Sequence, residues 1–161
     1  MANVYAVIMA GGVGSRFWPR SREKSPKQLL NILGNGTLVQ NTVNRIKPLI
    51  PYTNILIVTN KVQRGLLAKQ LPEIPDENIL VEPWGRNTAP CIGLASLVIR
   101  KKDPSAVMVV LPADHMIRDE QEFRRILELA ISVANESDSL ITVGIHPDRP
   151  ETGYGYIQFV D

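Results

Sequence analysis

Continuous apolar runs recur along the chain: Val4-Tyr5-Ala6-Val7-Ile8-Met9, Ile55-Leu56-Ile57-Val58, Ile79-Leu80-Val81, Ala106 to Leu111, and Leu140-Ile141-Thr142-Val143. Short runs without polar alternation read as strands buried on both faces. Ala106 to Leu111 is the longest purely apolar strand candidate, so it is predicted to lie centrally. Segments of helical period separate the runs. Thr37-Leu38-Val39-Gln40 has the capping-box pattern and opens a helix to about Lys47, ended by Pro48 and Pro51. Lys61 to Leu71 reads as a helix with Val62, Leu66, Leu67 and Leu71 inward. Asn87 is placed to cap a helix to about Lys101 that is apolar on most sides and so predicted to be largely covered. From Asp119 to Glu136, Phe123, Ile126, Leu127, Ala130, Ile131 and Ala134 fall on one helical face. Gly34-Asn35-Gly36 marks a turn, and Gly153 to Val160 reads as a last strand. Alternating strands and helices predict an α/β fold, an open and mostly parallel sheet with helices on both faces.

Composition narrows the class. A chain of 161 residues with 44% hydrophobic content can bury the core of one domain. A net charge of +2 argues against a nucleic-acid polymer or a membrane surface as partner. The only cysteine, Cys91, sits among Ala89, Ile92 and Ala95 and reads as a buried, inert thiol. The first residues lack a signal-peptide layout and no apolar run is long enough to span a bilayer, so a cytoplasmic location is expected. Nothing in the sequence decides whether the chain forms a homo-oligomer.

The chemistry concentrates after the first strand, at Met9-Ala10-Gly11-Gly12-Val13-Gly14-Ser15-Arg16. Three glycines in four positions let backbone approach a ligand closely, and successive N–H groups in such a turn can form an anion cradle. Arg16, Arg20, Arg22, Lys24 and Lys27 follow, against Glu23 alone, a set suited to phosphate oxygens. The bland alternative is a plain turn with solvated cations, an even choice for Arg20, Arg22 and Lys24. The dinucleotide fingerprint fails because Phe17 stands at its third glycine, and no Gly-Lys pair supports a Walker loop. In an open parallel sheet ligands bind at the carboxyl ends of the strands. The glycine loop, Glu82, Asp114 and Gly144 all fall at such ends. A carboxylate closing an apolar strand needs a partner. For Asp114 a Mg²⁺ ion shared with phosphate oxygens meets that need, and a helix N-cap is the alternative. His115 reads as a packed neighbour, and His146 is given no role.

Gly11 to Pro19 and Ser25-Pro26-Lys27-Gln28 resemble the sugar nucleotidyltransferases, which join a nucleoside triphosphate to a sugar 1-phosphate. Glu82-Pro83-Trp84-Gly85-Arg86-Asn87-Thr88-Ala89-Pro90 and Leu111-Pro112-Ala113-Asp114-His115 resemble the guanylyltransferase branch acting on mannose 1-phosphate. The resemblance implies a Rossmann-like sheet, GTP and mannose 1-phosphate as substrates, and Mg²⁺. It implies catalytic roles for Arg16, Lys27 and Asp114, with Asp114 on the metal. Nucleotide contacts are implied at Ala10, Gly11, Gly12, Gly14, Ser15, Arg16, Glu82, Arg86, Asn87, Thr88, Pro112 and Asp114, and sugar contacts at Gly144, Gly153, Tyr154 and Gly155. Glu82 suits either guanine or the ribose hydroxyls. Asn87 and Thr88 suit ligand contact, helix capping or both. Trp84 is a stacking surface or a loop anchor. Residues 1–161 would form the N-terminal nucleotide-binding part of a longer catalytic domain whose remainder is missing. The competing readings are a non-catalytic regulatory protein that binds nucleotide sugars, and the same chemistry with another base or sugar.

Overall fold

A computed structural model describes residues 3–12, 18–22, 26–32, 34–137, 139–153 and 155–158. Four strands form one parallel sheet: β1 (Val4–Met9), β2 (Ile55–Thr59), β3 (Ile79–Val81) and β4 (Val107–Pro112), in the order β3-β2-β1-β4. The helices between them are α1 (Leu38–Ile46), α2 (Arg64–Gln70), α3 (Thr88–Lys102) and α4 (Glu120–Glu136). The predicted α/β class and open parallel sheet are what the chain adopts.

Alternate residues of the strands serve two cores, as the pleat requires. Ala6, Ile8, Ile55, Ile57 and Val109 pack with Val39, Val43 and Ile46 of α1, Leu67 of α2 and Leu127 of α4. Tyr5, Val7, Leu56 and Val58 point the other way, against Cys91, Ala95 and Ile99 of α3.

The order corrects one expectation. Among the described residues β4 pairs only with β1 and so lies at the edge of the sheet, with β1 and β2 inside. Apolar length reports burial on two faces, whereas position in a sheet depends on which neighbours pair. The expected strands at 140–143 and 153–160 are also absent among the described residues. Leu140 is 100% exposed, and without a partner ladder an apolar run has no strand to join. α3 is less covered than its composition suggested. Only one stripe meets the sheet, and Leu97 stays 62% exposed.

Local signals at the helix ends are more faithful. Thr37 Oγ1 accepts from Gln40 N at 3.4 Å, and Thr37 N donates to Gln40 Oε1 at 2.9 Å, closing the capping box. Asp119 Oδ1 accepts from Glu122 N at 2.9 Å and caps α4, so Asp114 is not that helix's cap. Gly34 and Gly36 take φ of 87° and 96°, the left-handed turn expected there. Thr37→Ala is expected to cost about 1 kcal/mol of stability, read as a lowered urea midpoint with unchanged slope.

α2 begins at Arg64, later than the predicted start at Lys61. Asn60 Oδ1 accepts from Gln63 N at 3.0 Å, making Asn60–Gln63 a turn. Val62 and Leu66, expected inward, are exposed, while Leu67 and Leu71 are buried.

Candidate functional site

All four strands run the same way and finish at a common rim. Met9 lies level with Val58 and Pro112, and Thr59 lies level with Val81. Each strand end extends one bond further: Ala10 N to Val58 O at 2.8 Å, Ala113 N to Met9 O at 3.1 Å, and Glu82 N to Thr59 O at 2.8 Å. The glycine loop, Glu82 and Asp114 therefore share one edge. Strand order reverses between β1 and β4, since the chain goes outward through β2 and β3 and then returns to the far side of β1. Such a switch point leaves a crevice between the two connections.

A cavity of about 110 Å³ lies there, lined by Met9, Gly12, Lys27, Gln28, Ala113 and Asp114. Lys27 Nζ donates to Asp114 Oδ2 at 3.0 Å, so the predicted cation and carboxylate meet across the crevice. A larger open groove of about 520 Å³ runs between Pro48-Leu49 and α4. It lies away from the strand ends, and its Arg125 is held by both carboxylate oxygens of Glu122 at 2.7 Å.

The described part of the glycine loop is held by its carbonyls. Ala10 O accepts from Gln28 Nε2 at 2.8 Å and Thr59 Oγ1 at 3.1 Å. Gly11 O accepts from Asn60 Nδ2 at 3.2 Å. Gly12 O accepts from Gln28 Nε2 at 3.0 Å and Gln63 Nε2 at 3.2 Å. Among the described residues the N–H groups of Gly11 and Gly12 have no partner. Among the described residues a β-carbon on Gly12 would meet nothing within 4 Å. At Gly11 a β-carbon would stand 3.2 Å from Glu82 Oε2, which places Glu82 directly behind the loop. Gly14, Ser15 and Arg16 lie outside the described residues, as does Lys24; Arg20 and Arg22 are exposed.

Glu82 is only 8% exposed, and its Oε1 has no partner among the described residues. Burial pushes its carboxyl above the usual range. Burial, reinforced by the Glu82 charge, pushes the Cys91 thiol up to about 11, which keeps it protonated and unreactive as expected. A buried carboxylate oxygen without a donor suits a ligand that supplies one.

Beyond Glu82, Arg86, Asn87 and Thr88 are exposed, and Trp84 is 75% exposed, which rules out its role as a packed loop anchor. Asn87 does not cap α3 through its side chain. Its φ of 63° and ψ of −160° fall in a region that costs side-chain-bearing residues of order 1–3 kcal/mol. Such strain collects at ligand sites. His115 is exposed, not packed, and its carbonyl accepts from Arg45 Nη2 at 3.4 Å.

Gly144 and Gly155 lie in exposed chain, and among the described residues a β-carbon would meet nothing at either and only Glu151 at Gly153. None of the three joins the rim contacts described above. Tyr154 lies outside the described residues.

The profile of the nucleotidyl transferase family matches residues 5–161. The chain belongs to the nucleotidyl transferase family. It is similar to mannose-1-phosphate guanylyltransferase of Escherichia coli strain K12, with 44% identity over 98% of this chain and 33% of that protein. It is also similar to the xanthan biosynthesis protein XanB of Xanthomonas campestris pv. campestris, with 42% identity over 98% of this chain and 34% of that one. Among solved structures, a Thermus thermophilus protein described as a mannose-1-phosphate geranyltransferase superposes with a TM-score of 0.73 and 34% identity. The match covers 83% of this chain and 39% of that one. The chain thus spans about a third of the length of the curated relatives it matches.

Among the described residues no group of three His, Cys, Asp or Glu side chains converges. One carboxylate beside an anion cradle still fits Mg²⁺, which keeps several waters and is commonly bound by one or two carboxylates plus substrate phosphates. Gln28, Thr59, Asn60 and Gln63 are the loop's supports that sequence reasoning missed. Gln28 stands inside a motif without a role there, and the other three carry no motif. Among the described residues no helix is long and apolar enough to cross a membrane.

Proposed function

We propose that this chain is the nucleotide-binding part of an enzyme that joins GTP to mannose 1-phosphate, forming GDP-mannose and pyrophosphate. The observation that carries the reading is the Lys27–Asp114 pair set 3.0 Å apart at the switch point, beside the Gly11 and Gly12 amides, which have no partner among the described residues. A sugar-phosphate oxygen forms a bond to the α-phosphorus, and the bond from that phosphorus to the bridging oxygen of the leaving pyrophosphate breaks.

Both reactants are anionic, so positioning and electrostatics carry the rate without a protein nucleophile. The Gly11 and Gly12 amides bind triphosphate oxygens. Lys27 stabilises the charge that builds on the α-phosphate, and Arg16 holds the outer phosphates through its planar fork. Asp114 would hold a Mg²⁺ ion, which would supply neutralisation of phosphate charge. Pro112, beside Asp114, contributes a nucleotide contact. The sugar falls to Gly144, Gly153, Tyr154 and Gly155, the glycines leaving room for hydroxyls to approach the backbone.

Glu82 accepts from the N–H and amino groups on one edge of guanine, both of them donors, with Arg86, Asn87 and Thr88 at the ribose and base. Glu82→Gln replaces one acceptor with a donor and is expected to lose the preference for GTP over ATP. The same variant tests the buried charge. Because the folded-state carboxyl titrates above its unfolded value, its stabilising contribution is present at low pH and lost as pH rises through the window above the usual carboxylate range. Glu82→Gln lacks that loss, so its stability relative to the parent should rise towards neutral pH in urea titrations.

A panel of nucleoside triphosphates with Mg²⁺ and mannose 1-phosphate, followed by pyrophosphate release, tests the whole reading. Pyrophosphate with GTP above all others supports it. Equal use of every base would remove the guanine assignment, and GTP binding without release under any condition would favour a regulatory protein.

A further inference from the structure

We propose that the turn leading into α2 is a positioning device for the triphosphate site, with Gln63 and Asn60 holding the glycine loop so that its amides face the ligand. The inference rests on the nucleotide reading above. In a trans peptide the C=O of one residue and the N–H of the next point in opposite directions. Whatever grips the carbonyls of Ala10 and Gly11 therefore aims the N–H groups of Gly11 and Gly12. Asn60 grips Gly11 O at 3.2 Å. Gln28 grips Ala10 O at 2.8 Å, and its own carboxamide is fixed by donating to Gln63 Oε1 at 2.8 Å. Gln63 completes the set by donating to Gly12 O at 3.2 Å. Gln63 N is in turn bound to Asn60 Oδ1 at 3.0 Å, so the two side chains act from one rigid turn.

The burial shows that these contacts are not incidental. Gln63 is 1% exposed and Gln28 4%, both among the buried polar side chains. A buried carboxamide is costly unless satisfied, and these two are satisfied by each other and by loop carbonyls. An apolar side chain of similar size would fill the space at lower desolvation cost, so what the pair adds is direction. The set also fits the N–H groups of Gly11 and Gly12: among the described residues, the bonds to this part of the loop are made to its carbonyls.

Two variants separate positioning from mere support. Gln63→Met keeps volume and removes both side-chain bonds. Asn60→Ser keeps a hydroxyl able to cap the turn but is too short to reach Gly11 O. GTP affinity is measured by calorimetric titration, and binding of guanosine, which has no phosphate, by ligand-observed NMR. Each variant is expected to weaken GTP about tenfold while leaving guanosine binding unchanged. Thr37→Ala, which loosens α1 away from the loop, should alter neither. Unchanged GTP affinity in both variants, or guanosine affinity falling in step with GTP, overturns the positioning role. If Gln63→Met does not fold, Asn60→Ser decides alone. A parent chain that binds no triphosphate overturns the nucleotide reading and this inference with it, whereas a parent that binds GTP beside unaffected variants overturns this inference only.

Discussion

Asp114→Asn is expected to abolish the magnesium dependence of both GTP binding and turnover. Asparagine keeps the shape of the side chain and an oxygen that can accept from Lys27, so the 3.0 Å contact across the crevice can survive. What disappears is the negative charge, the property a hard divalent cation requires of its ligand. Charge stabilisation by such an ion is worth several kcal/mol in phosphate chemistry, so pyrophosphate release should fall by about a thousandfold. GTP titrated with and without Mg²⁺ should give a gap in affinity for the parent and none for the variant. A variant as active as the parent at every Mg²⁺ concentration would remove Asp114 from the site.

Lys27→Ala is expected to separate binding from chemistry. Lys27 is one of several groups around the crevice, and the loop amides remain to hold the triphosphate, so GTP affinity should fall only several-fold. Its charge matters most when the α-phosphate oxygens gain charge, and losing one such donor commonly costs about 10²–10³ in kcat. The relevant measurement is kcat and the GTP dissociation constant on the same preparation. A fall in kcat with nearly constant affinity marks an interaction made in the transition state. Equal losses in both would make Lys27 a ground-state binding residue only.

Much of this site is legible in the residues because each signal is local. A strand's end, a glycine loop, a capping box and an acid after an apolar run are read within a few positions. Their meeting at one rim then follows from the parallel sheet. Glu82 and Asp114 are legible in this way, and so is Lys27, which stands in the short helical turn Lys27–Leu29. The loop's supports are not, because Gln28, Asn60 and Gln63 bond to backbone carbonyls, which every residue carries. A carboxamide that grips a main chain distant in sequence has no periodicity and no spacing rule. Strand order is equally hidden: β4 has a core-like sequence yet lies at an edge, since pairing depends on partners. Leu140 to Val143 illustrates the converse, a strand-like run left unpaired. Asn87 has the residue type of a helix cap, but its backbone takes a left-handed φ that no residue-type rule foresees.

The most direct test is the amide spectrum of the ¹⁵N-labelled chain titrated with GTP, first with Mg²⁺ and then with Mn²⁺ in its place. A triphosphate held at the switch point predicts shifts at Gly11, Gly12, Lys27 and Gln28, and paramagnetic broadening centred on Ala113, Asp114 and Gly12. Shifts confined to Leu49 and α4, or broadening that leaves Asp114 untouched, would contradict it.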